Sequence, residues 1–277
     1  MGNLNKRLPV LMTASISTRG MKGACFTDME REDMYAEALS YYIQHLLSDD
    51  TSQRIVFAEN SGWDLRSLKQ KLPAYDKSRI EFISLNPEYF DISKGKGYNE
   101  LLLINKAIEL SDSIQETGAF FKVTGRYPIF NLAYFVKKAS DAILNRGIKL
   151  YADMKDHNLY EYLRLGWCGK SFECRLFGVD NEYYNMNIAP LFVKCDDYQP
   201  IIHQGEGKLL EAVLYDFVKA NPSKDIVLRF KREPHFGGIE GSDINAISFS
   251  KNQDSLKGNM KRAVGNCIRI FLPFFKF

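Results

Sequence analysis

Phe120-Phe121-Lys122-Val123-Thr124-Gly125-Arg126-Tyr127 is the stretch on which the reading of this chain turns. Two adjacent phenylalanines and a valine make the continuous apolar strand that the centre of a sheet covered on both faces requires. Alternation places Lys122, Thr124 and Arg126 on one side if the strand persists that far. A lysine at the end of such a strand is costly unless it meets an anion or a carboxylate. The guanidinium of Arg126 adds bidentate recognition of phosphate or carboxylate. The competing reading is a strand end with a snorkelling lysine and a Thr-Gly turn; of the two we take the binding role.

Outward from this strand, apolar runs alternate with helix-spaced segments. Pro9 to Ala14, Arg54 to Ala58, Ile80 to Leu85 and Ile148 to Ala152 have strand length and composition. Helices are predicted over Glu30 to Leu47, Leu65 to Leu72, Tyr98 to Leu110 and Leu132 to Leu144. That alternation implies βαβ units and a mainly parallel sheet flanked by helices. After Asp153 the pattern loosens. Phe172 to Val179, Leu191 to Lys194 and Ile226 to Phe230 read as strands and Glu206 to Ala220 as a helix, α+β additions expected against one end of the sheet. The expected organisation is an α/β half over residues 1–153, a second half of the same domain over 154–250, and a tail over 251–277.

With 45% hydrophobic and 26% charged residues, the chain can bury a sizeable core. Its formal charge is +3, yet the part from Lys251 onward holds six basic residues and Asp254 alone as an acid. No signal peptide or spanning segment is read, and the five cysteines show no metal-ligand spacing. The expectation is a soluble, intracellular protein of the cytoplasm with free thiols.

Ligands of open α/β sheets bind beyond the carboxyl ends of the strands. The polar residues expected there are Thr13 and Ser15, Glu59 and Asn60, Lys94-Gly95-Lys96-Gly97, Lys122, Thr124 and Arg126, and Asp153. The Lys94–Gly97 loop opens a helix, where glycines allow close approach and the helix end favours phosphate. Carboxylates that could act as base or metal ligand are Glu59, Glu100, Asp153, Glu182, Glu206 and Glu211, and His203 and His235 are possible acid/base groups. There is no D-x-D; Asp196-Asp197 is a weak substitute. Gly169-Lys170-Ser171 lacks the earlier glycine of a phosphate loop, which would fall at Arg164, and Glu100 stands where a dinucleotide fingerprint needs its third glycine.

The tail sets Lys257, Lys261, Arg262 and Arg269 among Val264, Ile268, Ile270, Phe271 and a final Pro273-Phe274-Phe275-Lys276-Phe277. Cations beside aromatics suit an anionic bilayer surface. The basic residues do not extend onto the body of the chain, so nucleic acid is not the expected partner.

The order of these motifs resembles a group of glycosyltransferases found in bacterial capsule, O-antigen and lipopolysaccharide gene clusters. The shared features are Leu11-Met12-Thr13-Ala14-Ser15, an Arg31…Tyr35 helix, Glu59-Asn60-Ser61-Gly62, Lys94-Gly95-Lys96-Gly97-Tyr98-Asn99-Glu100 and Lys122-Val123-Thr124-Gly125-Arg126-Tyr127. A late Pro234-His235-Phe236-Gly237-Gly238-Ile239-Glu240-Gly241-Ser242 completes the likeness, which spans about residues 8–245. It implies a nucleotide-sugar-binding domain similar to the GT-A type. Thr13, Ser15, Glu59 and Asn60 would line the nucleoside pocket. Lys94, Lys96, Lys122 and Arg126, with Gly95, Gly97 and Thr124, would hold the donor diphosphate. His235, Gly238 and Ser242 would belong to the acceptor side. A GT-A enzyme normally places a carboxylate where the lysine strand ends here. Basic groups would then do what a divalent cation (Mn²⁺ or Mg²⁺) does elsewhere, and metal-independent transfer is favoured with no certain cofactor.

Transfer also needs a base for the acceptor hydroxyl, and Asp153 and Glu211 are the candidates by elimination. The expected partners are a nucleotide-sugar donor, a glycan or lipid-linked acceptor, and an anionic membrane at the inner face of the cell. Two other readings compete: a different transferase or nucleotidyl enzyme acting on phosphorylated small molecules, and a non-catalytic membrane-associated binding protein.

Overall fold

The computed structural model describes residues 6–22, 24–48, 50–163, 169–198, 209–239 and 253–272. Its strands are β1 (Val10–Ala14), β2 (Ile55–Glu59), β3 (Ile80–Ser84), β4 (Ala119–Thr124), β5 (Leu150–Tyr151), β6 (Met154–Asp156), β7 (Lys170–Phe172), β8 (Leu176–Asp180) and β9 (Ile226–Val227). Its helices are α1 (Asp28–Tyr42), α2 (Arg66–Gln70), α3 (Lys96–Leu110), α4 (Asp112–Thr117), α5 (Leu132–Ser140), α6 (Leu159–Tyr162), α7 (Asn181–Tyr183), α8 (Leu210–Ala220) and α9 (Leu256–Phe271).

Seven strands form one sheet in the order β3-β2-β1-β4-β8-β5-β9. β1 pairs in parallel with β2 and β4, β2 with β3, and β5 with β9; β8 runs antiparallel between β4 and β5. The mainly parallel sheet flanked by helices is the expected architecture. The residues after Asp153 do more than lie against one end: β8 and β9 enter the main sheet, and only β6 and β7 pair apart from it.

Period-2 alternation feeds two cores. Val10, Met12, Phe121 and Val123 pack with Tyr35, Leu39 and Phe135 on one face. Leu11 and Phe120 pack with Leu101, Ile104 and Leu214 on the other. Every residue of β1 and β2 is buried, which explains runs without polar alternation. Lys122 belongs by register to the α3 side of β4, between Phe121 and Val123, which face the other way.

Several helix starts carry side-chain caps. Thr27 caps α1 in a reciprocal box with Glu30, and Ser111 caps α4, which ends on left-handed Gly118. Two strand expectations are corrected: Phe172 to Val179 divides into the end of β7 and most of β8, which belong to different sheets. Leu191 to Lys194 lies in a 3₁₀ turn over Ala189–Lys194, with Pro190 in its first turn, where the missing amide and fixed φ favour helical entry. The basic tail forms α9, capped by the Ser255 hydroxyl. Among the described residues no helix is long and apolar enough to cross a membrane.

Candidate functional site

Chain order reverses at β1: β2 and β3 continue to one side and β4 lies on the other. The carboxyl ends of β1 and β4 therefore mark a topological switch point, where such sheets bind ligands in a crevice. Thr13, Ser15, Thr124 and Arg126 all lie at this end, and the Gly125 amide donates to the Thr13 carbonyl at 3.0 Å. A Cβ at Gly125 would lie 3.0 Å from that carbonyl, so glycine is what lets the two strand ends close together.

Lys122 is fully buried. Its ammonium lies 2.6 Å from Glu100 Oε1 and donates to the Cys174 carbonyl at 2.6 Å and to Thr124 Oγ1 at 3.1 Å. Thr13 Oγ1 donates to the same Glu100 oxygen at 3.0 Å. The expectation that Lys122 would hold a diphosphate meets a different arrangement. Its three protons are engaged inside the protein, and its counterion is Glu100 in the first turn of α3.

Arg126 has no ion pair or hydrogen bond among the described residues, and its Nε is buried without a partner. A buried guanidinium nitrogen left unpaired is expensive, which marks the place for an anion. Lys96 stands close by. It is exposed as a residue, yet the protein packed around its ammonium lowers the pKa, and Arg126 and Arg31 lower it further, while Asp197 opposes them. Arg126, Lys96 and Arg31 thus lie close enough to feel one another's charge.

The amino end of α3 is not open, however. Asp197 accepts from the amide of Lys96 at 2.6 Å and from that of Gly97 at 3.4 Å, so the chain's own carboxylate sits where the sequence suggests phosphate. Burial raises the pKa of Asp197 against the pull of those amides and of Lys96. Gly95 has φ +84°, and a Cβ there would lie 2.6 Å from Asp197 Cβ. Lys94 is exposed and contributes its carbonyl to the Asp197 amide at 3.3 Å.

Glu59 is fully buried and accepts from the amides of Ile16, Ser61 and Trp63 at 3.0, 2.9 and 3.0 Å. It ties together the loops after β1 and β2 and has no capacity left for a nucleoside. Asn60 accepts from the Ser15 hydroxyl at 2.7 Å. The Ser15 carbonyl accepts from Arg31 Nε at 2.8 Å and its amide donates to the Tyr35 hydroxyl at 3.0 Å. Arg31 and Tyr35, one helical turn apart on α1, thus shape the loop after β1.

Of the two carboxylates expected to serve as base, Asp153 is held elsewhere. It pairs with Arg269 of α9 at 2.8 Å and accepts from the Phe230 amide at 3.0 Å. Glu211, in the first turn of α8, lies at the crevice, because α8 begins against Gly97, where a Cβ would meet Leu210 at 3.0 Å. Glu211 is exposed as a residue, yet the protein packed around its carboxyl raises the pKa, and Glu100, Glu173 and Asp197 add to the rise. Glu173 and Arg175, which flank Cys174, carried no signal in the sequence. Arg175 pairs with Glu173 at 2.5 Å and stacks over Phe236 at 4.1 Å. Burial opposes ionisation of Glu173, but Arg175 outweighs it and lowers the pKa.

The Phe236–Gly238 segment runs beside Tyr127 to Phe130. Gly237 donates to the Pro128 carbonyl at 2.8 Å, Ile129 bridges Phe236, and a Cβ at left-handed Gly238 would lie 3.0 Å from Tyr127 Cβ. His235 Nε2 lies 2.8 Å from Asp254 Oδ1. Ser242, His203 and Glu206 lie outside the described residues. Among the described residues no group of three or more His, Cys, Asp or Glu side chains is placed to hold a metal ion.

No family model and no curated protein matches the sequence. Solved structures do. The chain is similar to the galactosyltransferase LgtC in complex with donor and acceptor sugar analogs, at 12% identity over 81% of this chain and 74% of that one, TM-score 0.45. It is similar to the apo structure of the bifunctional glycosyltransferase WbbM, at 11% identity over 81% and 39%, TM-score 0.44. It is also similar to apo mouse xyloside xylosyltransferase 1, at 10% identity over 81% and 86%, TM-score 0.43. The functional reading therefore rests on the residues of this chain.

Proposed function

We propose that this chain is a glycosyltransferase that moves a sugar from a nucleotide-sugar donor to a glycan acceptor, lipid-linked, in the synthesis of a cell-surface polysaccharide. The observation that carries this reading is Arg126: an unpaired guanidinium with a buried Nε at the switch point, next to Lys96. A diphosphate supplies the anion that Arg126 lacks.

Breaking the bond from the anomeric carbon to the diphosphate leaves negative charge on the leaving oxygen. Arg126 and Lys96 stabilise it without a metal. The new bond forms from the acceptor oxygen, and Glu211 takes its proton. Burial raises the pKa of both carboxyls, but Asp153 is already paired with Arg269, so Glu211 is the one left for that task. Lys94, Gly95 and Gly97 frame the entrance, and His235 and Gly238 lie on the acceptor side beside Tyr127.

The working place is the surface of an anionic membrane, reached through α9. This helix holds four basic residues and no acid. Leu256, Met260, Val264 and Phe271 are each more than half exposed and fall on one face. Gly265 and Arg269 lie on the opposite face, packed against Glu233. Such a cationic helix with an apolar stripe lies in the interface of a bilayer.

A thermal-shift panel of nucleoside diphosphates and nucleotide sugars, with Mn²⁺ or with EDTA, tests the reading. A ligand at 100 times its Kd stabilises by about 2.7 kcal/mol. Stabilisation by one nucleotide, unchanged by EDTA, is expected. No shift with any nucleotide refutes the proposal.

A further inference from the structure

Resting on the glycosyl-donor reading above, we propose that Glu100 recognises the transferred sugar, its Oε2 accepting a hydrogen bond from one sugar hydroxyl. Both protein donors to this carboxylate, Lys122 Nζ at 2.6 Å and Thr13 Oγ1 at 3.0 Å, converge on Oε1. Among the described residues Oε2 has no donor, although an ionised carboxylate accepts through both oxygens. The Glu100 side chain is 23% exposed, whereas Lys122 is 1% exposed. One oxygen is thus anchored inside the protein and the other is left for the crevice.

Lys122 explains why the anchor is rigid. Its remaining donors go to the Cys174 carbonyl and Thr124, so the ammonium cannot swing towards a ligand. Its charge cancels that of Glu100, which leaves a fixed acceptor without net repulsion for the neighbouring diphosphate. A neutral polyol, whose hydroxyls donate, is the ligand chemistry that such an acceptor selects. The position fits as well. Thr13 touches Gly125, the residue before Arg126, and the charge of Glu100 reaches Glu211. The carboxylate therefore shares one end of the sheet with both the leaving-group cations and the base. Replacing a buried ion pair by apolar side chains is often neutral or stabilising, so a purely structural pair has no need of an outward oxygen.

Calorimetry with UDP-glucose, UDP-galactose, UDP-N-acetylglucosamine and GDP-mannose, each against UDP or GDP, tests this on the full chain. For the preferred donor, Glu100→Gln should weaken nucleotide-sugar binding tenfold or more while the nucleoside diphosphate stays within twofold. Because Glu100→Gln strands the buried lysine charge, a Glu100→Gln/Lys122→Met double variant repeats the measurement, with its fold checked by circular dichroism. A readout without mutation uses donors lacking single hydroxyls. One of them should bind the native chain at least tenfold more weakly than the parent. Equal losses for sugar and nucleotide, an unchanged ratio in the double variant, or no sensitive hydroxyl overturns the role of Glu100 alone. Failure of every nucleotide to bind the native chain overturns the glycosyl-donor reading and this role with it.

Discussion

Arg269 Nη2 lies 2.8 Å from Asp153 Oδ2, with the two side chains only 4% and 8% exposed. The pair fastens the carboxyl end of α9 to the strand end after β5. Arg269 also donates to Glu233 Oε1 at 2.6 Å and to the Phe230 carbonyl at 3.0 Å. Burial works against the guanidinium's charge, but the two carboxylates outweigh it and hold its pKa above the usual value. Removing one partner of a buried pair leaves the other uncompensated, so Arg269→Ala should cost about 3–5 kcal/mol in urea unfolding. A loss below about 1 kcal/mol would mean that the pair does not hold α9 in place.

Glu211 gives the pH dependence its sign. Packing around its carboxyl and the neighbouring carboxylates raise its folded-state pKa above the unfolded value, although the residue as a whole is exposed. Its contribution to stability is therefore present below the unfolded pKa and lost as pH rises through the folded one. Activity runs the other way, because a base must be ionised. The acid limb of kcat/KM should lie above the ordinary glutamate value of about 4.3. Glu211→Gln should lower kcat about 10²- to 10⁴-fold and abolish that limb. An unmoved limb in Glu211→Gln assigns the base to another group.

Arg126→Ala separates phosphate recognition from nucleoside recognition. A hydrogen bond to a charged group contributes about 1.5–3 kcal/mol, so the variant should lose roughly ten- to hundredfold in nucleoside diphosphate affinity. Binding of the bare nucleoside should stay within about twofold on the same basis. Equal losses would make Arg126 structural.

Gly95 at the α3 entrance has a matched control in Gly118 at the end of α4. Both have positive φ, +84° and +72°, but a Cβ at Gly95 would collide with Asp197, whereas none of the surroundings come within 4 Å at Gly118. Gly118→Ala should cost about 1 kcal/mol from backbone strain. Gly95→Ala should cost more, because Asp197 must leave the amides of Lys96 and Gly97. Equal costs in denaturant unfolding would mean that Asp197 does not seal this helix end.

Sedimentation with vesicles tests α9. The triple variant Leu256→Ser/Met260→Ser/Val264→Ser should lose binding to vesicles containing phosphatidylserine. In the native chain, binding should weaken as salt rises, since each basic residue near the surface contributes about 1 kcal/mol through screened attraction. Undiminished binding by the triple variant removes the stripe as the contact surface.

The sequence by itself determined the order of strands β1 to β5, the helices that became α1, α2, α3 and α5, and the crowding of polar residues at the ends of β1, β2 and β4. Those features are local: apolar period, caps and glycines act within a few residues of chain. It also singled out Arg126, because a guanidinium just after an apolar strand has few inward partners. Only the tertiary structure decided what each charge does. Lys122 and Glu100 are 22 positions apart and meet only because β4 and α3 share a face. Asp153 meets Arg269 across 116 positions, and Asp197 closes the end of a helix that begins about a hundred residues earlier. A charge at a strand end signals only that it needs a partner. Whether that partner is a ligand or another segment of the chain depends on long-range packing, and here the packing took Lys122, Glu59 and Asp153 for the protein and left Arg126 unpaired.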